Sequence, residues 1–352
     1  MINKASIFDL TTIEIEQFLA EWGQPTYRAK QIETWLYQNY ADSASVMTNL
    51  PKSLRQKLAQ NYLFEVVTPH VVVDSTDGFT RKSLFKLTDG REIEAVLMRY
   101  EKRQTLCIST QIGCAMGCPF CATGQMGFMR NLTAGEIVAQ VLHYARQLSQ
   151  EKRHVTNIVF MGMGEPLANY AQTWQAIRRL NDSSGFNLGA RHMTVSTVGL
   201  VSAIRRMSKE PEQIGLAVSL HAPTDELRDT LIPINKRYPI AMLMDALRDY
   251  IATTKRRITF EYALMDNLND SDEQADQLAD LVKDMLCHIN LIPLNPTPDS
   301  PWSGSSDERV YKFRDRLQTA GVPTTVRVRR GIDIAAGCGQ LHNAHANRVV
   351  AK

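Results

Sequence analysis

Four of the six cysteines in this chain lie close together, at Cys107, Cys114, Cys118 and Cys121. The last three have the spacing C-x3-C-x2-C, and Gly117 lies between the first two of them. Three thiolates at this spacing can each bind one iron of a 4Fe–4S cube and leave the fourth iron open to a non-protein ligand. A structural zinc ion with Cys107 as the fourth ligand is the alternative, although zinc sites usually combine paired Cys and His ligands.

A turn motif follows a predicted strand in residues 161–166, which read MGMGEP. Its glycines allow a tight backbone turn, and Glu165 adds a carboxylate. Ligands of β/α barrels bind at the carboxyl ends of the strands, and a carboxylate at that position suits an amine. The motif therefore predicts part of a binding site, and an ordinary turn ending at Pro166 is the alternative.

The composition excludes several classes of protein. The chain has 352 residues, of which 44% are hydrophobic and 22% are charged, as in an ordinary globular protein. No apolar run approaches the roughly 18 residues that span a bilayer, and residues 1–16 lack the apolar stretch of a secretory signal. We therefore expect a cytoplasmic protein with no membrane partner, in which six cysteines indicate metal or redox chemistry. The formal net charge of +3 does not by itself indicate a nucleic-acid partner.

The elements that must position these residues change in type along the chain. Residues 1–65 have the apolar spacing of short helices, one of which begins at Pro51. Residues 66–104 contain strand-like segments separated by Asp-Gly turns. From residue 105 onward strands and helices alternate, which is typical of a parallel sheet built from β-α units. The expected strands of this part are 105–109, 157–161, 192–196, 215–220, 257–263 and 288–293, with 324–329 as a candidate seventh.

Six β-α units are too few for an eight-fold barrel, so the pattern favours a partial barrel over a doubly wound sheet. Capping boxes that begin at Thr133 and Ser271 mark the starts of two of its helices. The chain is thus expected to divide into four parts. These are an N-terminal helical domain (1–65), a short β-hairpin extension (66–104), an α/β partial barrel (105–322) and a C-terminal segment (323–352).

Five longer strings narrow the interpretation, namely residues 111–133, 162–167, 219–223, 290–296 and 333–341. Together they closely resemble the RlmN/Cfr family of radical-SAM RNA methyltransferases, where SAM is S-adenosylmethionine. The resemblance extends over nearly the whole chain. It implies a partial (β/α)6 radical-SAM barrel, preceded by a helical accessory domain that binds RNA.

The resemblance also implies an activity. The loop sequence and the helical domain look more like the RlmN branch, which methylates C2 of adenine, whereas the Cfr branch, which methylates C8, is the alternative. The implied substrates are adenosine 2503 of 23S rRNA and, as a further candidate, adenosine 37 of tRNA. A flavodoxin or ferredoxin is implied as electron donor, and a monomer is expected. A non-catalytic zinc-binding RNA module is the alternative from another class.

The implied mechanism uses two SAM molecules per turnover. C2 of adenine is an electron-poor sp2 carbon that does not attack the methyl group of SAM, whereas a sulfur does. Cys338 takes a methyl group from one SAM, and a radical made from the second SAM removes a hydrogen from that group. The carbon radical then adds to C2, and Glu94 accepts the C2 proton. Cys107 releases the product by forming a disulfide with Cys338, which requires a thiolate within reach.

Two of the residues just considered also have plainer interpretations, and the remaining cysteine, Cys287, has no implied role. By spacing alone, Cys107 is a buried and inert strand cysteine. Glu94 stands among apolar strand residues, where it has either a raised pKa and a role as base or an outward position. Cys287 lies at or just after the end of a helix expected over residues 272–286, and we interpret it as a core residue.

Cys338 has local features that suit a reactive thiol. Gly337 and Gly339 flank it and give the backbone freedom to bring the thiol into a site. The basic run at residues 327–330 favours the thiolate. Gly337 is also the one visible departure from the family pattern, which has an alanine there; a change between two small residues keeps the cysteine in register.

The resemblance implies two sets of ligands in the barrel. Cys114, Cys118 and Cys121 bind the 4Fe–4S cluster, and SAM binds the open iron through its amino and carboxylate groups. The residues expected to contact SAM, all at predicted carboxyl ends of strands, are Gly164, Glu165, Ser196, Ser219, Leu220, His221 and Asn295.

Local positive charge predicts RNA contacts better than the net charge does. Basic clusters lie at residues 102–103, 205–206, 255–257 and 327–330, and we expect them to meet phosphates near the catalytic face. In the helical domain, Arg28 and Lys30 are further candidates. Because C2 is not reachable inside a base stack, we expect the target adenine to be unstacked and turned into the site.

Overall fold

The structure is a computed structural model that describes residues 4–295, 297 and 299–342. Pro296 of the string at 290–296, and residues 343–352 of the expected C-terminal segment, lie outside the described residues. The strands are β1 (Ala5–Ser6), β2 (Tyr62–Leu63), β3 (Val67–Asp74), β4 (Thr80–Leu87), β5 (Glu92–Arg99), β6 (Gln104–Cys107), β7 (Gln111–Gly113), β8 (Phe128–Asn131), β9 (Asn157–Phe160), β10 (Met193–Thr197), β11 (Gly215–Ser219), β12 (Ile258–Leu264), β13 (Cys287–Pro293) and β14 (Thr324–Val326). The α helices are α1 (Thr12–Glu21), α2 (Arg28–Tyr37), α3 (Lys52–Asn61), α4 (Ala122–Gln125), α5 (Ala134–Gln150), α6 (Tyr170–Asn181), α7 (Val201–Met207), α8 (Asp225–Leu231), α9 (Ile240–Thr254), α10 (Asp272–Val282) and α11 (Asp307–Thr319).

Helices α1 to α3 form the N-terminal part of the chain. α1 begins at a capping box in which the Thr11 side chain and the Glu14 carboxylate each accept a backbone hydrogen bond from the other residue. α3 follows Pro51, as the sequence predicts. The buried side chains of these helices belong to the same apolar core as those of the barrel. Asp9 also accepts a hydrogen bond of 2.7 Å from the backbone N–H of Gly135 at the start of α5, so the helices are anchored to the barrel.

Ten strands of the described chain form one continuous sheet in the order β14-β13-β12-β11-β10-β9-β6-β5-β4-β3. The seven strands β6 and β9 to β14 are parallel, which confirms the partial barrel and its seventh strand. Strands β3 to β5 pair antiparallel with one another, and β5 pairs antiparallel with β6. The expected β-hairpin extension is therefore a three-stranded meander that continues the barrel sheet.

Local signals predicted the helix starts better than the helix ends. The capping boxes at Thr133 and Ser271 are both present. The helix expected over residues 272–286 ends earlier, at Val282, and Cys287 is instead the first residue of β13. Its side chain is buried, so Cys287 is a core residue, although it lies in a strand.

The carboxyl ends of the parallel strands lie together at one edge of the sheet, because all seven strands run in the same direction. After β14 the chain returns to this region as an irregular segment, residues 327–342, which we call the C-terminal strap. On one side, the backbone N–H of Thr76 donates a hydrogen bond of 2.7 Å to the Asp333 carboxylate. On the other side, the Thr123 hydroxyl donates one of 2.6 Å to the carbonyl of Leu341. The strap thus connects the meander to the cysteine loop.

Among the described helices, none combines the length and the apolar character that crossing a bilayer requires.

Candidate active site

One cavity lies at the carboxyl ends of the parallel strands. It is lined by the three cysteines of the C-x3-C-x2-C loop and by Cys338 of the C-terminal strap. Leu220 does not line it, because its side chain is buried in the apolar core. Successive residues of an extended chain point to opposite sides, so Leu220 is directed away from the cavity that its neighbours reach. The other six residues expected to contact SAM all line the cavity: Gly164, Glu165, Ser196, Ser219, His221 and Asn295.

The three thiols of the loop line one cavity as a donor set that suits a 4Fe–4S cluster. A 4Fe–4S cube puts each thiolate on a different iron, so its three ligands surround a larger volume than those of a single metal ion. Burial raises the pKa of Cys114 to about 12 and that of Cys118 well above its usual value. Bound iron would supply the positive charge that these buried thiolates need.

The turn after β9 presents a carboxylate to the same cavity. Glu165 is buried, and its two oxygens accept hydrogen bonds from the backbone N–H groups of Leu167 (3.0 Å) and Val198 (2.9 Å). Burial raises its pKa to about 7. Gly164 has φ +98°, and a Cβ added there would lie 2.4 Å from Cβ of Gln111. Only glycine fits this position, which is why the turn can hold Glu165 against the cavity.

Replacing Gly164 with alanine is expected to weaken SAM binding at least tenfold and to destabilise the fold by about 1–3 kcal/mol, because both φ and the contact with Gln111 become strained. Equilibrium dialysis of SAM with the anaerobic protein and urea unfolding measure the two effects. Gly90→Ala is the matched control, since Gly90 has φ +83° with no atom near the added Cβ. It should share the backbone strain but bind SAM normally. Equal SAM binding by the two variants contradicts the role of this turn.

His221 lies in the cavity wall as a neutral ring. Its Nδ1 accepts a hydrogen bond of 2.9 Å from the backbone N–H of Ala263, so Nε2 carries the proton. Burial lowers its pKa to about 3, so the ring stays uncharged at neutral pH. Its edge packs against the ring of Phe120, the residue before the last cysteine of the loop, at 5.1 Å between centroids. His221 can therefore donate one hydrogen bond to a ligand and shield the loop from water.

Cys338 lies where two cavities adjoin. It lines the cavity described above, and together with Cys107 it lines a second cavity beneath the strap. The Asn295 amide donates a hydrogen bond of 3.2 Å to the carbonyl of Cys338, which holds the strap at this point. A Cβ at Gly337 would lie 2.6 Å from the Asn295 amide nitrogen, so an alanine there would force Asn295 to move. The structure thus brings Cys107, Cys338 and the three-cysteine loop together, and both thiols of the second cavity are free.

Arg327 and Glu261 form a charged wall of the site. Arg327 belongs to the basic run at residues 327–330, which was expected near Cys338, whereas Glu261 was not predicted. Arg327 lines both cavities, and Glu261 lines the first. The charge of the Cys338 thiolate raises the pKa of Arg327 most, and the Glu261 carboxylate raises it further. Burial raises the pKa of Glu261, which accepts a hydrogen bond of 2.7 Å from the Asn290 amide. The signal for Glu261 was available in the sequence, because a lone carboxylate in an apolar strand is rare without a partner or a function.

Glu94 lies on β5 and is 3% exposed. It lines neither cavity, although Val96 and Met98, the next residues on the same face of the strand, line the second one. One carboxylate oxygen pairs with Nζ of Lys82 at 3.0 Å, and the other accepts a hydrogen bond of 2.7 Å from the backbone N–H of His342. Burial raises the pKa of Glu94, and Lys82 acts in the opposite direction. Lys82 was not predicted, because nothing in its local sequence indicates a buried partner.

The four basic clusters differ in their position relative to the cavities. Arg327 and Arg330 line the second cavity, and Arg103 packs on an aromatic ring that also lines it. The cluster at 205–206 ends α7, and the cluster at 255–257 precedes β12. Both therefore lie near the amino ends of the parallel strands, at the opposite edge of the sheet. The expectation that these two clusters lie near the catalytic face is wrong, because each follows a helix that leads the chain back to the start of the next strand.

The two candidates of the helical domain lie on α2. The Arg28 guanidinium packs over the ring of Tyr27 at 5.5 Å, and Lys30 is exposed. Neither lines the two cavities, so an RNA contact at these residues stays a prediction.

Two family models match separate parts of the chain. The model of the radical SAM superfamily matches residues 108–279. The model of the ribosomal RNA large subunit methyltransferase N-terminal domain matches residues 5–63. The superfamily implies a 4Fe–4S cluster and SAM as cofactors, and the donor set of the cavity fits both.

Full-length relatives have the same organisation. A probable dual-specificity RNA methyltransferase RlmN from Chloroflexus aurantiacus is 50% identical over 98% of this chain and 94% of that protein. A protein of the same name from Roseiflexus castenholzii is 47% identical over 96% of this chain and 95% of that protein. The crystal structure of a radical SAM methyltransferase from Sphaerobacter thermophilus has a TM-score of 0.94 and 52% identity, over 96% of this chain and 99% of that one. The chain therefore belongs to the RlmN family within the radical SAM superfamily.

Proposed function

We propose that this protein is a cytoplasmic RNA methyltransferase that transfers a methyl group to C2 of adenine, in 23S rRNA at adenosine 2503 and in tRNA at adenosine 37. One observation carries the proposal. Cys107 and Cys338 line one cavity, and Cys338 also lines the cavity that contains the three-cysteine loop. Direct transfer of a methyl group from SAM to a nucleophile needs no such thiols. A mechanism with a protein S-methyl intermediate needs both, one to accept the methyl group and one to release the product.

The loop cysteines Cys114, Cys118 and Cys121 would hold the cluster, and Glu165 would receive the amino group of SAM. When bound, the cluster and SAM supply a 5′-deoxyadenosyl radical that removes a hydrogen atom from a methyl group. Other polar groups of the cavity wall, including Ser196, Ser219, His221 and Asn295, would orient SAM. A flavodoxin or ferredoxin would supply the electron that SAM cleavage requires. The enzyme would act as a monomer.

Cys338 would act as the methyl acceptor. Its thiolate attacks the methyl carbon of one SAM and S-adenosylhomocysteine leaves, a reaction that C2 of adenine is too electron-poor to perform. Arg327 lines the same two cavities as this sulfur and places a guanidinium charge there. Asn295 holds the backbone of Cys338 at the junction of the two cavities. The S-methyl group can therefore face the first cavity while the sulfur remains accessible from the second.

Cys107 would release the product. After the methylene radical has joined C2, the adduct would give the C2 proton to Glu94 and return one electron to the one-electron donor system, which restores the aromatic ring. The Cys107 thiolate then attacks the sulfur of Cys338 and a disulfide forms. The bond between that sulfur and the methylene carbon breaks, its electron pair stays on the carbon, and a proton completes the methyl group. An external thiol must then reduce the disulfide. Burial raises the pKa of Cys107 to about 12, and the charge of Arg327 counteracts part of this effect.

The position of methylation is tested with RNA that carries deuterium at either C2 or C8 of the target adenine. Anaerobically reconstituted protein, with about four irons per chain, is incubated with SAM, a reductant and the RNA, and the adenosines are analysed by mass spectrometry. Loss of deuterium from C2 alone supports the proposal. Loss from C8 contradicts it and indicates the alternative regiochemistry, and a zinc protein with no methylation indicates a binding module.

Replacing Glu94 with glutamine is expected to slow methylation at least a hundredfold while SAM cleavage continues, because the C2 proton loses its acceptor. The amide oxygen can still accept the hydrogen bond from His342, so the strap stays in place. In the wild type, a base must be ionised, so methylation should fall as pH is lowered through the raised pKa of Glu94. Rapid-quench assays between pH 5 and 9 measure both effects.

Lys82→Met is the matched control for this pair, because it removes the ion pair but keeps the carboxylate. It raises the pKa of Glu94 further, so its methylation profile should shift to higher pH while the plateau is kept. A Glu94→Gln enzyme with a normal rate and an unchanged pH profile would refute the role of Glu94 as base.

A further inference from the structure

Two aromatic rings and two guanidinium groups alternate beside the second cavity. The Arg330 guanidinium carbon lies 5.2 Å from the ring centroid of Phe79 and 4.5 Å from that of Tyr100. On Tyr100, the Arg103 guanidinium carbon lies 4.2 Å from the same centroid. We call Phe79, Arg330, Tyr100 and Arg103 the aromatic–arginine stack. Its members come from three separate parts of the chain, so only the folded protein has it.

The stack extends from the cavity of Cys107 and Cys338 to the protein surface. Tyr100 and Arg330 line the same cavity as Cys107 and Cys338. Val96 pairs with Cys107 across the sheet, and Tyr100 follows four residues later, about 13 Å along an extended chain. Phe79 is 50% exposed, and Arg103 is exposed as well. A chain of nucleotides whose target base enters the cavity would therefore pass over the stack.

Arg330 packs over both rings, and these contacts hold its guanidinium plane in place beside the cavity. Two hydrogen bonds hold the turn that carries Phe79. The backbone N–H of Phe79 donates to the Asp77 carboxylate at 2.9 Å, and the backbone N–H of Thr76 donates to the Asp333 carboxylate.

The composition of the stack identifies its ligand. Aromatic faces and guanidinium planes stack on the unpaired bases of single-stranded RNA, and arginines also meet its phosphates. The exposed side chains of Lys102 and Arg329 add positive charge beside Arg103 and Arg330. The carboxylates of the same segments are Asp77, which faces Arg330, and the exposed Glu101 and Asp333, so four cations stand against three anions. The balance of charge is positive, which suits a phosphate backbone. An acidic protein surface would use the charges but not the exposed ring of Phe79.

We propose that the aromatic–arginine stack binds the unpaired nucleotides that flank the target adenine. One flanking base stacks on the exposed face of Phe79, and the guanidinium charges of Arg330 and Arg103 attract the phosphates of the strand. This inference rests on the proposed function, since it presumes an RNA substrate. It adds the site that holds the substrate strand while the target base is turned into the cavity.

The test uses full-length reconstituted enzyme and an RNA hairpin with the target adenine in its loop. Phe79→Ala is compared with Phe79→Tyr, which keeps the ring, and with Val72→Ala, which removes another exposed side chain from the meander. Anisotropy gives the Kd for RNA, and the formation of 5′-deoxyadenosine without RNA reports on the cluster and SAM. Phe79→Ala should raise Kd about tenfold, which corresponds to about 1.4 kcal/mol, because the variant loses the ring on which the base stacks. Phe79→Tyr and Val72→Ala should bind like the wild type, and all three should cleave SAM normally.

An RNA with an abasic site next to the target adenine separates stacking from a general effect on binding. Loss of the flanking base should weaken binding to the wild type about tenfold but should weaken binding to Phe79→Ala little further. Equal effects of the abasic site on both proteins overturn the proposal, as does normal RNA binding by Phe79→Ala. If the wild type itself does not methylate RNA, the proposed function fails instead. The two failures are therefore distinguishable.

Discussion

Replacing Cys338 with alanine is expected to abolish RNA methylation, with a decrease of at least about a thousandfold, because the variant lacks the atom that accepts the methyl group. Mass spectrometry of the intact protein after incubation with SAM should detect one methyl group on the wild type and none on the variant. The variant should keep the cluster, since Cys338 is not one of the three loop cysteines. Iron content and the visible spectrum check this point.

The physical basis of this expectation is the position of Cys338. Its backbone is held by the Asn295 amide, and it lies between the loop cavity and the cavity of Cys107. The Arg327 guanidinium lines both of these cavities as well. A cysteine with a purely structural role would need neither an anchored backbone nor a position between two cavities.

Cys287→Ala is the matched control for the Cys338 variant. Cys287 is also a free cysteine, but it is buried at the start of β13 and lines neither cavity. Its replacement should lower the free energy of unfolding by about 1 kcal/mol and leave methylation unchanged. Methylation of RNA by Cys338→Ala at a measurable fraction of the wild-type rate would remove the basis of the proposed mechanism.

Replacing Cys107 with alanine is expected to trap the protein covalently on RNA. The variant can still methylate Cys338 and add its carbon to adenine, but it lacks the thiolate that breaks the bond between sulfur and carbon. Because burial raises the pKa of Cys107 to about 12 and only the thiolate attacks, release by the wild type should also become faster as the pH rises. The adduct should thus persist longest in the wild type at low pH.

A denaturing gel with labelled RNA measures the adduct as a band that both nuclease and protease remove. The double variant Cys107→Ala with Cys338→Ala is the control, and it should give no such band because the attachment point is gone. Multiple turnovers should be absent in Cys107→Ala, although one adduct per chain forms. Normal multiple turnover by Cys107→Ala, with no adduct, would assign product release to another group.

Short-range patterns were reliable guides to the site because their physics is local. The capping boxes at Thr133 and Ser271 involve residues three positions apart, and the turn at Gly164 depends on a single φ angle and one contact. Leu220 shows the limit of a motif, since it stands between two residues that line the cavity and is itself turned into the core. Strand alternation, not motif membership, decides which side chains a ligand can meet.

The sequence by itself determined the spacing of the C-x3-C-x2-C loop, the α/β partial barrel and the positions of its strands along the chain, because these follow from turn chemistry, caps and hydrophobic periodicity. Only the tertiary structure decided that Cys107 and Cys338 share a cavity, that Lys82 pairs with Glu94, and that two of the four basic clusters lie at the far edge of the sheet. The aromatic–arginine stack is likewise formed only by the tertiary structure. The physical reason is that these contacts join residues far apart in the chain, so they depend on the register of the meander against β6 and on the path of the C-terminal strap, which no local pattern encodes.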